Sequence, residues 1–205
     1  MIGRHESRLV LDSHRRWLLG GQAQSRWLAV EDFTDAYSPT GGVVTTEETQ
    51  VFAALWSDWQ GEFGPWTLVP GLRGGLYHFN SDTWLLPEPR FGVRREWSET
   101  LSLKAFLGRF GQAPSMEMTA SGVGNPTLGL MNAWQASFGG EWESGAWRVD
   151  SSVYGSVMDD LVQEERRIRY ATQDGGYAIE ESYSYYVSTT GYAFGWERLI
   201  RLEPA

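Results

Sequence analysis

The chain has three histidines, His5, His14 and His78, far apart in sequence. No HxH or HExxH spacing sets two of them on one face, so no metal site is expected. There is no cysteine, which removes thiolate ligands, Cys nucleophiles and disulfides. No GxSxG, P-loop or GxGxxG-helix pattern supplies an activated serine or a phosphate cradle. Carboxylate pairs occur at Asp159-Asp160 and Glu180-Glu181, but neighbours in a strand point to opposite faces. The chain is therefore read as a non-enzyme without a cofactor. What remains is a set of charged residues at alternating positions: Arg73, Arg90, Arg94, Lys104, Arg148, Asp150 and Glu197. Their chemistry is that of a polar wall, bonded to one another and to water, or lining a passage for a ligand. Acidic residues alternate with the arginines, so the wall has no set sign.

The elements that carry these residues are strands. In Pro89–Pro114, Phe91, Val93 and Trp97 point one way and Arg90, Gly92, Arg94 and Glu96 the other. After a tight turn at Ser98-Glu99-Thr100, Leu101, Leu103, Ala105 and Leu107 oppose Ser102, Lys104 and Gly108. Period-two alternation predicts a long β-hairpin with one apolar and one polar face. The same reading gives strands at His14–Val30, Thr46–Trp59, Trp66–Phe79, Met131–Trp142, Ala146–Asp160 and Tyr183–Leu202. Pro70 is awkward within its strand, because proline cannot donate to the ladder. Residues 1–13 are polar and predict no element, and Leu161–Ser182, with its charge run at Glu164–Arg169, reads as a solvated loop. The fold class is all-β: an antiparallel meander of about eight long strands in one segment, residues 1–205.

Two regularities point to a membrane. The strands are about 10–14 residues long, against a mean of ~5–6 in soluble proteins. Short turns alternate with longer loops, as they do in transmembrane barrels. Mean hydropathy is only −0.37 and no apolar run of ~20 residues occurs, so no transmembrane helix is expected, but alternating barrel strands average to near neutral anyway. The 11 tryptophans matter here. Trp59, Trp66, Trp97, Trp142 and Trp147, with Trp56 and Trp196, gather near strand ends, as an aromatic girdle at a membrane interface would. Net charge is −9, so bulk attraction to nucleic acid is not expected. The first residues hold no apolar h-region, and no signal peptide is expected there. In the loop Gly111–Leu130, Met116, Met118 and Asn125 are candidates to touch a ligand.

Four stretches resemble, in order, the barrel of TonB-dependent outer-membrane receptors. They are WTLVPGLR at Trp66–Arg73, PRFGVRREWSETLSLKAFLGRFGQAP at Pro89–Pro114, GNPTL at Gly124–Leu128 and GYAFGWERLIRL at Gly191–Leu202. The family shows PGLRYD, PRLGLRY followed by TLKASYGRYFQAP, GNPDLKPE and GRAYGLEL. The sequence departs where Thr127-Leu128-Gly129-Leu130 replaces Asp-Leu-Lys-Pro, and where Gly74-Gly75 follows Arg73 in place of Tyr-Asp. The family barrel has 22 strands and an N-terminal plug. The resemblance therefore implies a central barrel segment, without plug or TonB box.

It also implies a parent protein in the outer membrane that takes up a scarce nutrient, of siderophore-iron or cobalamin type. The partners implied are the lipid bilayer, the remaining barrel strands and plug, and periplasmic TonB only through that plug. The residues leave a second architecture open: a soluble calycin-like eight-stranded barrel holding a small apolar ligand. Side-chain direction separates the two. Leu103, Phe138, Trp142 and Val153 face the axis in a soluble barrel and face out in a membrane one.

Overall fold

A computed structural model describes residues 2–33, 43–119, 125–173 and 177–202. The turn-forming pairs Ser38-Pro39, Gly41-Gly42 and Gly175-Gly176, and Gly124 of the GNPTL stretch, lie outside them. One nine-stranded antiparallel sheet runs in sequence order from β1 to β9. Its strands are β1 Ile2–Val10, β2 Arg15–Phe33, β3 Val43–Phe63, β4 Trp66–Phe79, β5 Asp82–Glu96, β6 Leu101–Gln112, β7 Met131–Ser144, β8 Trp147–Gln173 and β9 Tyr177–Leu202. A single helical turn, α1, spans Met116–Thr119 between β6 and β7.

The all-β meander is as expected, and the strand count rises from about eight to nine. The added strand is β1, paired with β2 from Ile2↔Gln24 to Val10↔Arg16. It shows no apolar face, since Gly3, His5 and Ser7 alternate with Arg4, Glu6 and Arg8, so periodicity alone missed it. The loop expected at Leu161–Ser182 is instead mostly ladder, because β8 and β9 pair from Trp147↔Leu202 through Gln173↔Tyr177. The Glu164–Arg169 charge run is thus in a strand. A bulge interrupts the pairing between Met158 and Leu161, where Asp160 takes φ 57° and accepts a 2.8 Å hydrogen bond from Ser188.

β4 and β5 are joined by a two-residue turn. Asn80 and Ser81 both have positive φ, 51° and 65°, which is the type I′ geometry that matches strand twist. This turn fixes the phase of the hairpin. Phe79↔Asp82 closes it, and every second pair onward is hydrogen-bonded. Pro70, Pro87 and Pro89 then fall at the intervening positions, with their nitrogens directed away from the β4–β5 ladder. Pro70 faces β3, and the β3–β4 pairing skips from Asp58↔Gly71 to Gly61↔Leu68. Pro87 and Pro89 face β6, and the β5–β6 pairing stops at Arg90↔Gly108. The prolines are therefore accommodated by local gaps in the ladder.

Beyond that stop, a side chain takes over. Glu88 Oε1 accepts a 2.6 Å bond from the Gly111 N–H, and the Tyr77 hydroxyl donates to the Gly111 carbonyl at 3.0 Å. At the other end of the sheet, the β1–β2 turn closes on Asp12, which accepts from Arg15 Nε at 2.7 Å and from the His14 N–H at 2.9 Å. The Arg15 hydrogen bond holds the Asp12 carboxyl below its usual pKa.

A left-handed backbone costs serine more than glycine. Ser81→Gly should therefore stabilise the chain by about 0.5 kcal/mol. Urea unfolding of the detergent-solubilised protein measures this, and an unchanged or lower midpoint would refute the turn assignment.

Candidate functional site

Register converts alternation into two faces. Thr67, Gly71, Arg73, Arg90, Arg94, Lys104, Glu141, Arg148, Asp150 and Glu197 share one of them through direct pairs such as Arg94↔Lys104, Glu141↔Asp150 and Ser152↔Glu197. All seven charged candidates from the sequence thus lie on the same face. The segment carrying α1 packs on this face. Gln50 of β3 donates to the Pro114 carbonyl at 3.2 Å, and Asn125 Nδ2 donates to the Tyr186 carbonyl of β9 at 2.7 Å. A small core of Tyr77, Phe79, Leu86 and Leu130 lies beneath, with Phe52 and Ala113 against it. A segment that touches both β3 and β9 spans the inside of a curved sheet, so the charged face is the inner one.

Six of the seven candidates enter ion pairs. Arg73 pairs with Glu88, which is 3% exposed. Arg90 grips Asp58 with two 2.6 Å bonds. Arg94 and Lys104 are directly opposite, a like-charge pair that would repel if left bare. Glu141 relieves them, reaching Arg94 Nη1 at 2.7 Å, Lys104 Nζ at 3.0 Å and Arg148 Nη2 at 3.9 Å. Lys104 also meets Asp150 at 2.6 Å, and Arg94 and Arg148 meet Glu96 at 2.8 Å and Glu143 at 3.1 Å. Glu197 makes no ion pair among the described residues. The acids Asp58, Glu88 and Glu141 were missing from the sequence set. The register implied by the Ser98–Thr100 turn, carried to the next strand, was the signal that could have found Glu141.

Several pairs pass over an intervening strand, and glycine makes the room. Arg90 of β5 reaches Asp58 of β3 across Gly71 of β4. A Cβ on Gly71 would stand 1.9 Å from Asp58 Oδ1. Trp56 likewise lies over Gly20, whose added Cβ would be 2.2 Å from the indole ring. Trp56 is 8% exposed on the inner face, with the Arg4 guanidinium 5.2 Å from its ring. This corrects the placement of Trp56 among the strand-end aromatics.

The outer face is apolar. Leu103, Phe138, Trp142 and Val153 all lie on it, with Leu55, Leu72, Leu85, Phe91, Tyr192 and Phe194. Phe194 is 89% exposed. Trp59, Trp66, Trp142 and Trp147 point outward toward the short-turn end, and Trp97 stands at the β5–β6 turn. Trp17, which the sequence reading passed over, faces Trp59 directly, and its indole donates to Ser57 at 2.7 Å. Trp196 sits higher, opposite Val153. Trp27, 65% exposed, is on the same face as Trp17 toward the other end. The ten residues between them span about 33 Å of strand, or roughly 25 Å along a barrel axis at ~40° tilt.

The loop candidates are partly consumed by the fold. Met116 is 8% exposed. Asn125 is 6% exposed, and its Oδ1 accepts from both the N–H and the hydroxyl of Thr127. Beside the segment, a hollow of about 210 Å³ is lined by Arg26, Gln50, Phe52, Arg73, Tyr77 and Gln112 among others.

The family described as TonB dependent receptor-like, beta-barrel matches residues 4–197, almost the whole chain. The chain belongs to that family. Among solved structures it is similar to the siderophore receptor PirA from Acinetobacter baumannii, at 12% identity and a TM-score of 0.74 over 98% of this chain and 34% of that one. It is similar to the copper transporter OprC, at 15% identity and a TM-score of 0.72 over 100% of this chain and 35% of that one. A variant of the ferric enterobactin receptor PfeA from Pseudomonas aeruginosa gives 14% identity and a TM-score of 0.73, over 96% of this chain and 32% of that one. The chain thus spans about a third of the length of these proteins. None of the curated proteins matches it.

The inner pairs give a direct test. Gly71→Ala should cost about 1–3 kcal/mol, because the methyl forces the Asp58–Arg90 pair apart. Gly74→Ala, on the outer face with nothing within 4 Å of its Cβ position, should be near neutral. Equal losses in parallel denaturant titrations would show that the inner pair does not depend on Gly71.

Proposed function

We propose that this chain forms part of the wall of an outer-membrane receptor that takes up a scarce nutrient, an iron chelate of siderophore type. The carrying observation is the separation of faces: an exposed apolar band outside and an ion-paired wall inside, in a chain of this receptor family. In water such a band is a liability, since each large side chain left exposed forgoes about 1.5–3 kcal/mol. In hydrocarbon the same band is satisfied. The soluble alternative needs Leu103, Phe138, Trp142 and Val153 inside, and they lie on the other face. The open edges β1 and β9 pair with further strands of the same barrel, because unpaired N–H and C=O groups in lipid cost several kcal/mol each. Arg73, Arg90, Arg94, Lys104, Arg148, Asp150 and Glu197 line the lumen, where a plug would meet them. Met118 and the hollow by Arg26 and Arg73 are the places where this segment would touch an incoming ligand. Trp59, Trp66, Trp97, Trp142 and Trp147 anchor the periplasmic rim. Trapping of substrate and coupling to periplasmic TonB belong to the plug.

The chain has no cysteine, so single cysteines report cleanly. In the membranes of cells that make the protein, Ser137→Cys and Ser152→Cys should react with a water-soluble maleimide at least about tenfold faster than Phe138→Cys and Val153→Cys, which lipid shields. Deleting the gene should abolish growth on one ferric chelate as sole iron source. Reversed labelling would refute the barrel reading. Unchanged growth on every chelate would refute the iron assignment.

A further inference from the structure

Arginines also occur on the outer face, Arg95, Arg109 and Arg198 among them, and Arg95 alone of these is set between two indole rings among the described residues. Arg94 faces inward among carboxylates, but Arg95, the next residue, faces outward. It pairs in register with Trp66 on β4 and Leu103 on β6. Its guanidinium carbon lies 4.8 Å from the Trp66 ring and 4.4 Å from the Trp97 ring. Two indoles thus clamp one cation. Arg95 makes no ion pair among the described residues, and its Nε is buried without a hydrogen-bond partner. Guanidinium carries five donors and no acceptor; the terminal nitrogens of Arg95 are not buried and donate to no described residue, so they are the groups open to an acceptor from outside the chain. The site sits beside two short turns, since the Glu96 N–H reaches the Pro65 carbonyl at 2.8 Å and the Trp97 N–H reaches the Leu101 carbonyl at 2.8 Å. Leu68, Val93, Leu101 and Leu103 continue the same face toward the middle of the band.

We infer that Arg95, clamped by Trp66 and Trp97, binds the phosphate of an anionic phospholipid at the short-turn rim. The phosphodiester oxygens accept from the guanidinium, and the acyl chains lie along Leu68, Val93 and Leu103. Planar forked donors suit a phosphate better than a point charge does. The indoles restrain the side chain, so little rotamer entropy remains to be lost on binding. The overall charge of −9 repels anionic lipid, so any preference for it must come from a local site. This inference rests on the membrane reading above.

The test uses the protein extracted in detergent from the membranes of cells that make it, incubated with mixed phosphatidylcholine and phosphatidylglycerol, and read by native mass spectrometry. Wild type should retain phosphatidylglycerol about tenfold over phosphatidylcholine, a ratio worth 1.4 kcal/mol. Arg95→Gln should abolish the preference, and Arg95→Lys should leave part of it. Inorganic phosphate added alone should neither bind nor displace the lipid. If Arg95→Gln fails to insert, Arg95→Lys carries the test, and retention equal to wild type overturns the site. Equal retention by wild type and Arg95→Gln also overturns it, as does tight binding of free phosphate. A wild-type protein absent from the membrane fraction of those cells refutes the membrane reading itself, a result distinct from loss of preference.

Discussion

Everything in this sheet depends on register. Side chains alternate with a period of two, so a slip of one residue at any hairpin would turn a whole strand inside out. The strands pair in unbroken order from β1 to β9, and the phase of that pairing puts Arg73, Arg90, Lys104 and Asp150 on one face and Leu72, Phe91, Leu103 and Val149 on the other. The tight turns at Asn80-Ser81 and Gly145, with their positive φ angles, set that phase locally. In the proposed barrel, hydrocarbon outside and water inside would penalise any other choice.

The inner wall is ionic but not uniformly charged. Glu141 gathers three cations, and Lys104 passes part of its charge to Asp150. Such pairs contribute little net stability where water reaches them. Their value is geometric, because long side chains such as Arg90 and Asp58, meeting over Gly71, tie alternate strands together without filling the interior.

Much of this was legible in the sequence. The faces of β4, β5, β6, β7 and the first half of β8 followed from alternation, because each has a clean apolar side. β1 was not legible, since neither of its faces is apolar and only its pairing with β2 defines it as a strand. The outer half of the β8–β9 hairpin was hidden for a related reason: a strand bearing a charge run reads as a loop when no apolar periodicity marks it. The candidate arginines were visible as types at positions. Their acidic partners were not, because Asp58 and Glu141 come from strands two removed from Arg90 and Arg94, and single-strand periodicity carries no information across that distance. Arg95 escaped notice for the opposite reason: its neighbour Arg94 fitted the pattern.

The prolines of β5 have a mechanical consequence. From Arg90↔Gly108 to Glu96↔Ser102, the fifth and sixth strands are joined by seven register pairs. Above them, Pro87 and Pro89 offer no hydrogen, and the seam is held by side chains: the Glu88 carboxylate and the Tyr77 hydroxyl on the Gly111 peptide, Gln50 on the Pro114 carbonyl, and Leu130 and Ala113 packed with Tyr77, Phe79 and Leu86. The sheet is therefore two panels, β1–β5 and β6–β9, welded at the turn end and latched at the loop end. Opening the seam at the mouth would break side-chain contacts and leave every ladder rung in place, whereas opening it at the turn end would break the ladder itself.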